Sequence, residues 1–150
     1  VALPEIHDAS VNPNAEYQRL INISTRGDVA TGENVLIGGF IVTGMPEKIL
    51  VRAIGPSLTA FGVAGAPADP RLGIFNGATL IAENDNWSIV PAETVATAQA
   101  TRDTGAFALA NGSKDAALVL TLAPGAYTAQ VSGADGTSTG VALIEVYEVP

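Results

Sequence analysis

Residues 115–149 constrain this chain more than any other stretch, because three apolar runs are separated there by two turn signals. Residues 116–122 (AALVLTL) alternate, with Leu118, Leu120 and Leu122 on one face and Ala117, Val119 and Thr121 on the other. Ala123-Pro124-Gly125 breaks the run. Residues 126–132 (AYTAQVS) then alternate again, with Tyr127, Ala129 and Val131 opposed to Thr128, Gln130 and Ser132. Gly133-Ala134-Asp135-Gly136 turns the chain into a third run, 141–149 (VALIEVYEV). Period-two alternation bounded by Pro, Gly and Asp clusters predicts antiparallel strands with one buried face, here in meander order.

The same grammar runs upstream. Residues 19–25 (RLINIST) predict a strand, and Arg26-Gly27-Asp28 a loop. That tripeptide is known from integrin recognition, but Gly and Asp also serve a turn directly. Residues 34–43 (NVLIGGFIVT) are apolar almost throughout, which predicts a strand buried on both faces or lying at an interface. Gly38-Gly39 in its middle marks a bulge or a close backbone approach. Residues 48–54 (KILVRAI) return, and Arg52 among apolar neighbours must either snorkel or pair with a carboxylate.

A Gly/Pro/Ala-rich loop follows at 55–69, with one short helical turn expected at 57–61. Residues 71–75 and 79–82 flank Asn76-Gly77, the strongest short hairpin signal in the chain. Residues 91–103 (PAETVATAQATRD) are the one plausible helix, with Pro at the start, Glu93 in the first turn and alanines throughout. The pattern amounts to seven to nine short strands. The expected fold is therefore all-β, an antiparallel β-sandwich of Greek-key or jelly-roll type with one short helix.

Two regions follow from this pattern: an extended N-terminal arm at 1–18 and the sandwich at 19–150. Pro4 and Pro13 exclude a continuous helix in the arm. Its apolar residues Val1, Leu3 and Ile6 are candidates for docking, either on their own domain or on a neighbouring subunit. The chain begins at Val1 rather than Met, as expected of a processed product or an excised segment, and removal of a signal peptide would account for it.

Composition narrows the chemistry. Charged residues make up only 15% and apolar residues 47%, so much of the surface is suited to being covered by a neighbour. No stretch approaches the ~20 apolar residues that span a bilayer. A net charge of −8, with two lysines and five dispersed arginines, argues against nucleic acid and anionic membranes. Without cysteine there are no disulfides, thiolate metal sites or thiol nucleophiles. His7, the only histidine, sits in the arm, a poor place for a catalytic base.

The carboxylates Glu33, Asp69, Glu83 and Asp85 show no spacing that singles out an acid–base pair. No enzyme activity and no obligatory cofactor is expected. Calcium is the one metal to carry: Asn84, Asp85 and Asn86 offer hard oxygens on one turn, with Asp69 as a further ligand. The alternative is an Asx-rich turn bonding its own backbone. Trp87 beside it is a candidate glycan-stacking platform or a core residue.

Asp69-Pro70, 72–77 (LGIFNG) and 80–87 (LIAENDNW), followed by 122–128 (LAPGAYT) and 131–133 (VSG), resemble the bacterial pre-peptidase C-terminal domains over about residues 69–149. The remainder is similar to a related repeat of large secreted bacterial surface proteins. The resemblance implies a secreted, non-catalytic β-sandwich used for surface attachment, substrate binding or assembly. The expectation is a structural subunit of an extracellular filament or surface layer at the cell surface. Its copies would be joined into a homopolymer by strand complementation, the arm adding to a neighbour's sheet. A non-catalytic module binding polysaccharide or protein is the alternative.

Overall fold

Eight strands and one α-helix form along residues 21–150, which a computed structural model describes. The strands are β1 (Asn22–Val29), β2 (Leu36–Val42), β3 (Glu47–Ile54), β4 (Pro70–Asn76), β5 (Thr79–Asn84), β6 (Ala116–Leu122), β7 (Gly125–Gly133) and β8 (Gly140–Glu148). The helix α1 spans Pro91–Asp103, as its sequence predicts, and a 3-10 helix spans Pro56–Phe61.

Two four-stranded antiparallel sheets face each other, in the orders β1-β8-β3-β6 and β2-β7-β4-β5. The pairs β1–β8, β2–β7, β3–β6 and β4–β5 are those of one long folded ribbon. Rolling that ribbon adds β3–β8 and β4–β7. This is the jelly-roll order of a β-sandwich. The three C-terminal strands form where the sequence places them, but they are not a meander. β6 and β8 lie in the first sheet and β7 in the second. Alternation reports which face of a strand is buried, not which strand lies beside it.

Between the sheets lie Val51, Ala53, Ile144 and Ala142 from the first and Leu72, Ile74, Ala129 and Val131 from the second, all at or near zero exposure. The first sheet is covered on its outer face too. Helix α1 packs on β3 and β6, and the 3-10 helix and residues 104–115 close over the rest. That second layer explains why Leu50 and Ile54 of β3 point outward yet are fully buried. Among the described residues the second sheet is covered on one face only, and β7 alternates cleanly between Tyr127, Ala129, Val131 and Thr128, Gln130, Ser132.

One local expectation is overturned and one choice between two is resolved. Arg26-Gly27-Asp28 is not a loop; it lies within β1, paired with Leu143, Ala142 and Val141. Gly27 faces the core, where a Cβ would stand 2.7 Å from Leu36 Cδ1, and this inward glycine is what masks the strand in sequence. Gly38-Gly39 is no bulge, since β2 pairs β7 in unbroken register. It is a close approach, with Ile144 3.3 Å from where a Gly38 Cβ would lie. The bulge sits instead in the β4–β5 hairpin, where Ile74 pairs Ala82 but Phe75 pairs Leu80, leaving Ile81 extra. The turn joining these strands is Gly77-Ala78, and Gly77 takes φ 57, the left-handed position that a two-residue hairpin assigns to glycine.

Candidate functional site

The outer layer over the first sheet is held by two buried polar clusters. In one, Arg52 is fully buried and donates from Nε to Glu145 Oε2 at 2.9 Å and from Nη2 to the same oxygen at 2.5 Å. Its Nη1 reaches the Phe107 carbonyl at 2.5 Å, and its guanidinium lies 4.3 Å from the Phe107 ring centroid. Tyr147 Oη donates to the other Glu145 oxygen at 2.7 Å. Burial, first, and then the hydrogen bond and charge of Glu145 push the Tyr147 phenol up to about 12. Arg52 thus pairs with a carboxylate, one of the two options its sequence context leaves open.

In the second cluster, fully buried Asp115 accepts from the backbone N–H of Gly55 at 2.8 Å and of Ser57 at 3.2 Å, and from Ser57 Oγ at 2.5 Å. Its own carbonyl accepts from Trp87 N–H. Asp115 therefore pins the start of the 3-10 helix and the turn before α1 to the base of β6. Neither cluster stands out in sequence, because the partners are far apart in the chain and neither Glu145 nor Asp115 belongs to a motif.

Beside the Arg52 cluster a cleft of about 370 Å³ opens between β1 and the 3-10 helix. Leu58, Val63 and Leu143 line it with aliphatic side chains. Phe61 and Phe107 join the lining as a tilted pair with centroids 4.9 Å apart. Phe61 is 61% exposed. The polar lining is Ser24 and Arg26, two residues apart on the outward face of β1.

The second sheet leaves its outer face uncovered by any helix among the described residues. Ile37, Gly39 and Ile41 of β2 and Thr128 and Gln130 of β7 lie there with Phe75 and Leu80 of the hairpin. The charges there, Arg71 and Glu83, form an ion pair with each other. β2 is an edge of that sheet, and exposed Gly39 and Ile41 on its outward face show that it is not the doubly buried strand that is one of the readings its sequence allows. Ile41 is 66% exposed.

The residues singled out in sequence scatter. Trp87 is 6% exposed; its Nε1 donates to the Ala110 carbonyl at 3.2 Å and to Ser113 Oγ at 3.1 Å, and its ring packs with Ile54, Leu58 and Leu109. It offers no stacking face to a glycan. Asn84 Oδ1 accepts from Ala117 N–H at 3.1 Å, a structural tie between β5 and β6. Asp69 is met by the Lys114 ammonium at 2.5 Å, so the cation at this carboxylate is a side chain of the chain itself. Asp85 is exposed and Asn86 half-buried. Among the described residues no group of three or more His, Cys, Asp or Glu is placed to hold a metal ion. Glu33 lies in the β1–β2 connection and Glu83 on the outer sheet face. Val1, Leu3, Ile6 and His7, and with them the arm at 1–18, lie outside the described residues.

In sequence the chain matches no protein-family model and no curated protein. Among solved structures, the pre-peptidase C-terminal domain of a collagenase from Bacillus anthracis is similar with a TM-score of 0.49 and 14% identity, over 84% of this chain and 89% of that one. No helix among the described residues is long and apolar enough to cross a membrane.

Proposed function

We propose that the chain is a non-catalytic structural subunit of an extracellular assembly, whose copies join by adding a strand to a sheet edge. The observation that supports this reading is the edge strand β2. Sheet edges are templates for pairing and are usually blunted by charge, proline, bulges or cover. Two other edges carry such devices: Arg26 and Asp28 point outward from β1, and β5 has its bulge at Ile81. β2 (LIGGFIV) has no charge, no proline and no irregularity, and it leaves Ile41 exposed.

A strand laid along β2 gains main-chain hydrogen bonds, and its side chains meet Ile37 and Ile41. The proposed donor is the 1–18 segment of a neighbouring copy. A donor at one place and an acceptor at another make a head-to-tail contact, which grows into an open filament when its rotation does not close.

The test is Gly39→Lys, which puts a charge on the acceptor edge at a position with open space around it. The variant should fold, by circular dichroism, and fail to form fibres by negative-stain electron microscopy and sedimentation. Deleting residues 1–14 should do the same. Undiminished fibres in both variants would sink the reading.

A further inference from the structure

We propose that the cleft between β1 and the 3-10 helix is a binding site for a small amphipathic monocarboxylate, an alkyl or aryl chain carrying one acid group. Its size lies within the range of small-ligand sites, which are mostly apolar with a few convergent polar groups. Here the two characters are segregated. The apolar lining, Leu58, Val63, Leu143 and the Phe61–Phe107 pair, comes from the 3-10 helix, β8 and the loops, while the polar residues Ser24 and Arg26 both come from β1. A ligand matching this division has an apolar body and one polar end.

The sign of that end follows from Arg26. Arg52 is paired with Glu145, Arg71 with Glu83, and Arg102 donates to Gln99. Arg26 has no carboxylate partner among the described residues, and its planar fork suits a carboxylate, with the Ser24 hydroxyl as a second donor. The charge count follows from the rest of the molecule. Asp28 lies next along the same outward face of β1, and the chain carries −8 overall, so a dianion such as a phosphate monoester is repelled where a monoanion is held. A bound alkyl or aryl chain would cover the exposed face of Phe61.

The test titrates octanoate, octan-1-ol and octylammonium into the full ¹⁵N-labelled chain. Octanoate should give saturable amide shifts confined to residues 24–26, 58–63 and 107, and the alcohol and the amine should bind at least about tenfold more weakly. Arg26→Gln should weaken octanoate by about tenfold with an otherwise native spectrum, since Arg26 is exposed and its loss leaves no buried partner. Phe61→Ser should weaken all three probes together. Equal binding of acid and alcohol, unchanged affinity in Arg26→Gln, or shifts centred elsewhere would each overturn the proposal.

Discussion

Replacing Arg52 by Met removes one member of a buried ion pair and leaves the other in place. Glu145 is 5% exposed, and without the guanidinium its carboxylate keeps only the Tyr147 hydroxyl as a donor. The Phe107 carbonyl loses its donor as well. Stranding a buried charge in this way costs about 3–5 kcal/mol, a large part of the ~5–15 kcal/mol typical of a domain. Glu145→Met, which strands the Arg52 guanidinium instead, should cost a similar amount.

The double variant Arg52→Met/Glu145→Met differs. It buries no charge and leaves two neutral orphans, the Phe107 carbonyl and the Tyr147 hydroxyl, worth about 1–3 kcal/mol each at most. The double variant should therefore be at least as stable as either single one. Urea unfolding followed by Trp87 fluorescence reads this directly. With a slope of about 1–3 kcal/mol per molar, each single change should lower the midpoint by about 1 M or more. If the singles cost under about 1 kcal/mol, or if the double loses the sum of the two, the pair is neither desolvated nor coupled as described.

Other perturbations probe other parts. Gly140 has φ +135, and a Cβ there would lie 1.8 Å from the Gly65 carbonyl oxygen that accepts from Val141 N–H, so Gly140→Ala should abolish cooperative thermal unfolding; a native-like melt would refute that contact. Trp87→Ala should cost about 3–5 kcal/mol, and native Trp87 should resist acrylamide quenching, whereas ready quenching would place the ring at the surface. Because the Tyr147 phenol is raised from 10.0 to about 12, its contribution to stability is full below about pH 10 and is lost as pH climbs through about 12. Tyr147→Phe should flatten that alkaline decline in a series of denaturation midpoints, and an unchanged slope would contradict it.

The elements of this fold were largely legible in sequence, and their partnerships were not. Pro91 with Glu93 announces α1, and the alternation of β6 and β7 announces strands with their buried faces. The jelly-roll pairing is another matter, because β3 chooses β6 and β8, dozens of residues away, on grounds no local window contains. The apolar run of 34–43 was ambiguous for a physical reason. A strand covered on both sides and an edge strand awaiting a neighbour bury the same side chains in the end, and both are written in the same residues. Neither the cleft nor its cation was visible either. Ser24 and Arg26 looked like the end of a strand and the start of a loop, and only folding brings Phe61 and Phe107 to face them. Trp87 invited a surface role because it follows a polar turn, yet the carbonyl of Ala110 and the hydroxyl of Ser113 were waiting for its indole N–H.

The pairing of β1 with β8 also settles how the domain meets tension. Asn22 stands opposite Tyr147, and Glu148 N–H reaches the Ile21 carbonyl at 2.8 Å, so the two strands begin and end side by side. Bonds of an antiparallel ladder run across the strands. A pull applied to residues 21 and 149 meets them one at a time and peels β1 away like a zip. A pull applied along β2, by a strand lying against it, would load its ladder of bonds together. A fibre of these units that transmits force through its sheet edges would therefore bear far more than a string of them joined end to end.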